Sequence, residues 1–200
     1  NIPTAYCIET NAHALARFAA LSQEVGLVPI VEPEVLMDGD HSIRRCYEVT
    51  EATLREVFYQ LGHQGVALEG ALLKPNMVLS GELSADRAGP DEVGKQTVDC
   101  FKRVVPAALP GVVFLSGGQG DEEATVNLNA INRRAVDVGA PWQLSFSYGR
   151  GLQAAPLNRW RGQAANAERT QRAFQQRALL TSAARQGAYS PEMEKEAAAV

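Results

Sequence analysis

The sequence predicts an α/β protein with a parallel central sheet, and two observations support this prediction. Short apolar segments alternate along the chain with longer segments whose apolar residues recur at helical spacing. Parallel strands need helical crossovers, which this alternation supplies. A doubly wound sheet and part of a (β/α)₈ barrel both fit, but the G-x-G-x-x-G turn of dinucleotide-binding sheets is missing from the sequence, which favours the barrel.

The first two predicted helices begin at capping residues and end at glycine. Thr10 or Asn11 would cap the first helix, and Gly26 would end it. Its apolar face would consist of Ala14, Phe18, Leu21 and Val25. Thr50 would begin the second helix, and Gly62 would stop it. Its apolar face would consist of Leu54, Val57, Phe58 and Leu61.

Three further helices are predicted downstream. One begins near Pro90 and ends before Pro106, and its apolar face is Val93, Thr97, Phe101 and Val104. The next covers residues 121–133, where acidic residues in the first turn suit the helix dipole. Its apolar face is Ala124, Leu128 and Ile131. The Ala-, Gln- and Arg-rich segment after residue 150 predicts a solvated helix anchored by Phe174 and Leu180.

The predicted strands are LVPIVEP (27–33), VALEGALLKP (66–75), GVVFLS (111–116) and WQLSFSYG (142–149). Side chains alternate across a strand, so parity identifies the residues that share a face. By parity, Glu32 and Glu34 continue one face of the first strand, and Lys74 does so in the second. Ser116 and Tyr148 occupy the same place in the third and fourth strands. In a parallel barrel, the active site is built at this carboxyl end of the strands.

These polar residues fit amine catalysis on a phosphorylated carbonyl compound. An apolar wall disfavours the charged form of Lys74, which favours a nucleophilic amine that can form a Schiff base. Glu32 and Glu34 could supply the acid and base that imine formation needs. The groups that could hold a phosphate are Ser116, Gly117, Gly149 and Arg150. This chemistry requires neither a metal nor another cofactor.

Each of these residues also has an ordinary structural explanation. A lysine at a strand end is usually solvated or salt-bridged, and Glu32 and Glu34 could be loop carboxylates beside Pro33. Residues 116–124 could form a plain turn and helix cap. The one metal-like cluster in the sequence is Asp38, Asp40 and His41. It lacks a partner histidine, so no metal site is predicted.

Composition excludes several classes of function. The chain has 200 residues, 46% of them apolar, and a net charge of -4, which argues against nucleic acid and anionic membrane surfaces as partners. No apolar run approaches the ~20 residues that a membrane helix needs. The three cysteines lie outside any CxxC spacing and indicate reduced thiols in a cytoplasmic protein: Cys7, Cys46 and Cys100.

Five segments, in their order and separation, resemble the class I fructose-bisphosphate aldolases: GLVPIVEPEVL, DGDH, LEGALLKPNMV, FLSGGQGDEEATVNLNAIN and PWQLSFSYGRGLQ. The resemblance covers about residues 5–190. It implies a (β/α)₈ TIM barrel, of which this chain would form the second half, with four βα units, a C-terminal helix and a tail. We expect residues 1–188 to belong to the barrel and residues 189–200 to be a mobile tail.

The same resemblance implies a reaction and a role for each candidate residue. The reaction is reversible cleavage of fructose 1,6-bisphosphate to dihydroxyacetone phosphate and glyceraldehyde 3-phosphate, in glycolysis and gluconeogenesis. Lys74 matches the Schiff-base lysine, Glu32 the acid/base for carbinolamine dehydration, and Glu34 a glutamate that balances charge near the lysine. The matching phosphate-binding residues are Ser116, Gly117, Gly149 and Arg150. An aspartate, two lysines and an arginine for the second phosphate would belong to the first half.

A half-barrel would expose sheet edges and its inner layer of side chains. We therefore expect a part of a longer polypeptide, in preference to a half-barrel that dimerises or pairs with a complementing N-terminal half. The family is often tetrameric, which implies a homo-oligomer. Two other functions stay open: a non-catalytic sugar-phosphate binding or assembly module, and a lysine-dependent lyase acting on a monophosphate. A metal-dependent aldolase fits least, because the sequence has no His-rich ligand set.

Overall fold

The structure, a computed structural model, describes residues 2–198. Its helices are α1 (Ala5–Glu24), α2 (Ile43–His63), α3 (Pro90–Val104), α4 (Asp121–Asp137), α5 (Arg150–Trp160), α6 (Ala167–Arg185) and α7 (Glu192–Ala198). Its strands are β1 (Ile30–Val31), β2 (Leu72–Leu73), β3 (Gly111–Phe114) and β4 (Gln143–Phe146). All pairings are parallel, and the order is β1-β2-β3-β4. The predicted α/β fold with a parallel sheet is confirmed.

One face of the sheet is covered by helices, and the other is open. The register aligns Val31, Leu73, Val112 and Leu144 across the four strands. All four are at most 3% exposed and belong to the apolar core. Ile30, on the opposite face, is 44% exposed. Two buried clusters share the covered side, a large one around β2, β3 and β4 and a smaller one between α1, β1 and α2.

The prediction for the first helix was wrong in its start and in its buried face. The Thr4 side chain accepts a hydrogen bond from the Cys7 N–H at 3.1 Å, so the capped helix begins at Ala5. The buried residues are Ala12, Ala16 and Ala19. The larger residues predicted to be buried are exposed: Phe18, Leu21 and Val25. Small side chains form the contact face, where the helix packs against β1 and α2.

The other helices agree better with the predictions from the sequence. The apolar faces predicted for α3 and α4 are confirmed, with Val93, Thr97, Phe101, Ala124, Leu128 and Ile131 all buried. Helix α2 begins at Ile43, seven residues before Thr50, because Ser42 caps it by accepting from the Arg45 N–H at 3.3 Å. In α6, Leu180 is buried as predicted, whereas Phe174 is 46% exposed.

The C-terminal segment packs on the core in the structure. Tyr189 is buried, and its N–H donates to Asn129 Oδ1 at 3.0 Å. Met193 of α7 packs against the large cluster. Of the tail predicted at 189–200, the last two residues lie outside the described residues, and mobility in solution stays a prediction. Among the helices of residues 2–198, none is both long enough and apolar enough to cross a membrane.

Candidate active site

Lys74 and Glu32 lie side by side at the carboxyl ends of β2 and β1. Ile30 is aligned with Leu72 on the open face of the sheet. Glu32 and Lys74, each two positions later, therefore share that face. The Lys74 N–H donates to the Val31 carbonyl at 2.7 Å, which continues the ladder past the strand end. The Lys74 Nζ lies 3.1 Å from Glu32 Oε1, with side chains 21% and 45% exposed. The pair thus joins an amine to a proton-exchanging carboxylate within reach of solvent.

Glu34 lies against the loop that follows β3. A Cβ at Gly117 would come within 3.0 Å of Glu34 Oε1, so glycine is what permits this approach. At the next position, Gly118 has φ +73°, and a Cβ there would meet Met37 Cβ at 2.5 Å. The loop after β3 therefore fits closely against the segment after β1, which contains both glutamates.

Asn76 positions this segment, and the sequence analysis did not identify it. The residue is 1% exposed, and its Oδ1 accepts from the Val35 N–H at 3.0 Å. Its Nδ2 donates to Thr50 Oγ1 at 3.2 Å and to the Met77 carbonyl at 3.0 Å. Asn76 thereby ties the residue after Glu34 to the end of β2. An amide within the apolar run PNMV was the available signal.

The candidate phosphate-binding residues come together from β3 and β4. Ser116 is 5% exposed, and its Oγ accepts from the Gly151 N–H at 3.2 Å. Gly149 and Arg150 are exposed at the start of α5, where Gly149 is the N-cap. Exposed Gly149 and Arg150 at a helix N-terminus, with the arginine guanidinium, suit an anion. Gly117 follows Ser116 directly, so the structure places all four candidates in one corner.

Strand parity does not explain how this corner forms. The register aligns Phe114 with Phe146, on the covered face of the sheet, opposite to the face that carries Lys74. Ser116 and Tyr148 continue that covered face, so placing them with the lysine by parity was wrong. Tyr148 is buried, which raises the pKa of its phenol, and the hydroxyl donates to the Ala124 carbonyl at 3.0 Å. The loops after the strands, and not strand parity, bring the corner near the lysine.

A cleft of about 1030 Å³ borders Glu32 on the side of α1 and α2. Glu32 and Glu34 line it, as do Asp38, Asp40 and His41, the cluster considered as a metal site. Across residues 2–198, no group of three or more His, Cys, Asp or Glu side chains is arranged to hold a metal ion. The cleft therefore gives solvent access to the glutamates.

Known proteins share this sequence and fold. The family model described as fructose-bisphosphate aldolase class-I, glycolytic, matches residues 1–200. Mouse fructose-bisphosphate aldolase B is 52% identical over 94% of the chain, and the Dictyostelium discoideum fructose-bisphosphate aldolase is 52% identical over 96%. A solved structure of fructose-bisphosphate aldolase from Plasmodium falciparum, in complex with TRAP and a small-molecule inhibitor, superposes with a TM-score of 0.90 at 51% identity.

Coverage is unequal in these comparisons. The P. falciparum structure aligns with 94% of this chain, but the chain covers 53% of that structure. It covers 51% of the mouse protein and 53% of the Dictyostelium protein. The chain thus spans about half the length of the curated relatives that it matches. With the family model matched over all 200 residues, the chain belongs to the class I fructose-bisphosphate aldolase family.

Proposed function

We propose that this chain carries the Schiff-base half of a fructose-bisphosphate aldolase. The observation that supports this most is the 3.1 Å contact between Lys74 Nζ and Glu32 Oε1, at the open ends of two parallel strands. The relatives, about half of whose length the chain covers, are named as aldolases of this substrate. The reaction is the reversible cleavage of fructose 1,6-bisphosphate to dihydroxyacetone phosphate and glyceraldehyde 3-phosphate.

Lys74 begins the proposed reaction as the nucleophile. Its ammonium passes a proton to Glu32, and the free amine attacks the C2 carbonyl carbon to form a carbinolamine. Glu32 returns the proton to the carbinolamine hydroxyl, which leaves as water and yields a protonated imine. The contact between the two side chains makes this exchange direct. Glu34, held through Asn76 and Gly117, adds negative charge that stabilises the imine cation.

Carbon–carbon cleavage follows from the charge of the imine. As the C4 hydroxyl passes its proton to the Glu32 carboxylate, the electron pair of the C3–C4 bond moves into the imine, and glyceraldehyde 3-phosphate leaves. The resulting enamine takes a proton at C3, and water hydrolyses the imine to release dihydroxyacetone phosphate and the free lysine. The protonated imine is the electron sink in this route.

The C1 phosphate binds at the corner formed by Ser116, Gly117, Gly149 and Arg150. Backbone N–H groups of the loop and of the α5 N-terminus would donate to its oxygens, and the Arg150 guanidinium would supply positive charge. A phosphate fixed there holds the adjacent ketone at one place on the open sheet face. The binding energy of the phosphate thus helps to orient the carbonyl group toward Lys74.

The open face of the sheet indicates where the rest of the proposed barrel would pack. Ile30 and other apolar side chains near β1, such as Leu27, Val28 and Leu36, are each more than 40% exposed. We propose that four further βα units cover this face and close a (β/α)₈ TIM barrel, with the remaining catalytic side chains and the site for the second phosphate. They would come from a longer polypeptide or a complementing N-terminal half, assembled as a cytoplasmic homo-oligomer.

Solvent exchange of the hydroxymethyl protons of dihydroxyacetone phosphate tests the proposal. Imine formation acidifies these protons, so an enamine-forming chain incorporates deuterium from D₂O, which NMR detects. This half-reaction uses a single phosphate and no aldehyde. We expect exchange with the wild-type chain, loss in Lys74→Met, and retention in the control Lys102→Met, since Lys102 is exposed on α3.

Two results would contradict the proposal in different ways. Binding of dihydroxyacetone phosphate without exchange would favour the non-catalytic sugar-phosphate module. Exchange that disappears on adding a chelator would favour metal-assisted enolisation, which does not need the lysine. A cleavage assay on fructose 1-phosphate and fructose 1,6-bisphosphate, with the closed barrel, then separates a monophosphate lyase from the bisphosphate enzyme.

A further inference from the structure

A buried arginine lies behind the phosphate-binding corner. Arg177 of α6 is 4% exposed, and its Nη1 donates to both carboxylate oxygens of Glu194 at 2.7 Å. A buried guanidinium needs partners of this kind, because an unpaired charge removed from water is costly. Tyr189 adds a third contact, its hydroxyl donating to Glu194 Oε1 at 3.0 Å. The arginine thus binds the C-terminal segment to α6.

The other side of the same guanidinium contacts the first turn of α4. Arg177 Nη2 donates to Thr125 Oγ1 at 2.6 Å and to the Asp121 carbonyl at 3.3 Å. Thr125 is fully buried, and its hydroxyl donates to the same carbonyl at 2.7 Å. The Arg177 Nε lies 3.9 Å from an Asp121 carboxylate oxygen. One side chain therefore connects the start of α4 to α7.

The first turn of α4 is continuous with the loop that contains Ser116 and Gly117. Gly120 is the N-cap, and glycine has no side chain to hold the helix start. In the same turn, the Ala124 carbonyl accepts from Tyr148, the residue before Gly149. Arg177 and Tyr148 therefore hold the start of α4 through their hydrogen bonds. Both candidate phosphate-binding segments meet at this turn.

We propose that Arg177, paired with Glu194, is a positioning residue for phosphate binding. It holds the first turn of α4 so that the loop at 116–117 and the N–H groups near Gly149 face a single phosphate. The identity of the ligand rests on the proposed function, whereas the positioning role does not. Because coupling between sites is reciprocal, a phosphate ligand in the corner also stabilises the docked α7.

Hydrogen exchange of the ligand-free chain tests the positioning role. Glu194→Gln removes the charge and keeps the shape, and Glu168→Gln is the matched control. Glu168 pairs with Arg172 at 2.7 Å on the exposed surface of α6, the helix that contains Arg177. We expect amides in residues 116–125 to exchange roughly 5-fold faster in Glu194→Gln, and at the wild-type rate in the control. An unchanged rate at 116–125 in Glu194→Gln would overturn the proposal.

A comparison of two ligands separates positioning from general stability. Borohydride trapping is run with dihydroxyacetone phosphate and with dihydroxyacetone, which lacks the phosphate. In Glu194→Gln, the half-saturating concentration of the phosphate ester should rise roughly 5-fold or more, with little change for dihydroxyacetone. Equal weakening for both ligands would overturn the proposal, because it would indicate a purely structural role.

Arg177→Lys adds a conservative variant to this series. Lysine keeps the charge but loses the planar fork that reaches both Glu194 and Thr125, so we expect an intermediate effect on the phosphate ester. An effect no smaller than that of Arg177→Met would contradict a role for the charge. If the wild type reacts with neither ligand, the proposed function fails, and the exchange comparison at 116–125 still decides the positioning role.

Discussion

In the proposed reaction, the reactivity of Lys74 depends on one neighbouring carboxylate. Glu32 contacts the amine directly, at the strand ends where both side chains remain accessible. A direct contact lets one carboxyl group both accept the proton of the ammonium and return it to the leaving hydroxyl. The Glu34 carboxylate lies against Gly117 of the loop after β3. We therefore propose different roles for the two glutamates, although they are two residues apart.

Replacing Glu32 tests this division of roles. We expect Glu32→Gln to slow the formation of the borohydride-trapped adduct by about 100-fold, the usual size of general acid–base catalysis, while the adduct still forms on Lys74. The measurement is the intact mass of the chain as a function of time before quenching. Glu69→Gln, an exposed glutamate before β2, should react at the wild-type rate. A wild-type rate for Glu32→Gln would assign the proton transfers to another group.

The cysteines provide a second test at the residue scale. Burial raises the pKa of the Cys46 thiol, and burial with the nearby Glu51 charge raises the pKa of Cys100 to about 12. The reactive thiolate is thus scarce at both sites below pH 9, whereas Cys7 is exposed. We expect iodoacetamide at pH 8 to add one label to the native chain and none to Cys7→Ser. Labelling of Cys100 as fast as Cys7 would contradict this structure.

At the scale of secondary-structure elements, the sequence predicted the helices with long apolar faces and the places of the four strands. The strands are shorter than predicted, and Leu68–Gly70, within the second predicted strand, forms a 3₁₀ helix. Val93 to Phe101 and Ala124 to Ile131 are apolar at helical spacing and are buried, so periodicity was sufficient. Helix α1 differs because alanines form its contact face, and an apolar pattern cannot distinguish them from Phe18 or Leu21, which are exposed.

The candidate site was predictable in part for similar reasons. Lys74 and Glu32 follow parity because they lie next to paired strands. Ser116 lies beyond the last paired residue, where the loop sets its direction. Arg177 has no local signal in its Ala-, Gln- and Arg-rich segment, since only tertiary contacts with Glu194 and Thr125 make it buried.

Asn76 should stabilise the connection between β2, α2 and the segment after β1. Asn76→Leu keeps the approximate size of the side chain but removes the acceptor of the Val35 N–H and one hydrogen-bond partner of the Thr50 hydroxyl. We expect a loss of about 2–3 kcal/mol in the free energy of unfolding, measured with urea. Asn158→Leu, at an exposed site on α5, should change it by less than about 0.5 kcal/mol. Equal losses for both variants would contradict the role of Asn76.

The contact between α2 and α3 should depend on pH. Partial burial would raise the pKa of Glu51, but hydrogen bonds from Arg103 and Arg55 outweigh it and hold that pKa below its usual range. A lowered pKa in the folded state contributes stability above about pH 4.3 that is lost as pH falls through the folded value.

Glu51→Gln measures this contribution. We expect the variant to be less stable than the wild type by about 1 kcal/mol at pH 7, because the two arginines are largely exposed, and the deficit to be smaller near pH 3. Thermal unfolding at both pH values gives the difference. A deficit that persists undiminished at pH 3 would show that the contact is not electrostatic.

At the scale of the whole molecule, folding makes one lysine different from the others. The sequence has four, Lys74, Lys95, Lys102 and Lys195, and Lys74 alone lies at the carboxyl end of a strand in the structure. Lys74 and Glu32 follow β2 and β1. The candidate phosphate-binding corner is formed by the segments that follow β3 and β4. The proposed selective chemistry at this lysine would therefore be a property of the assembled sheet.

Peptide mapping after borohydride reduction tests the central claim most directly. The native chain is treated with dihydroxyacetone phosphate, reduced and digested, and the same reaction in about 6 M guanidinium chloride is the unfolded control. We expect one adduct per native chain, on Lys74, and adducts distributed over all lysines in the control. Native adducts shared among the four lysines, or none while the ligand is bound, would contradict Lys74 as the Schiff-base residue.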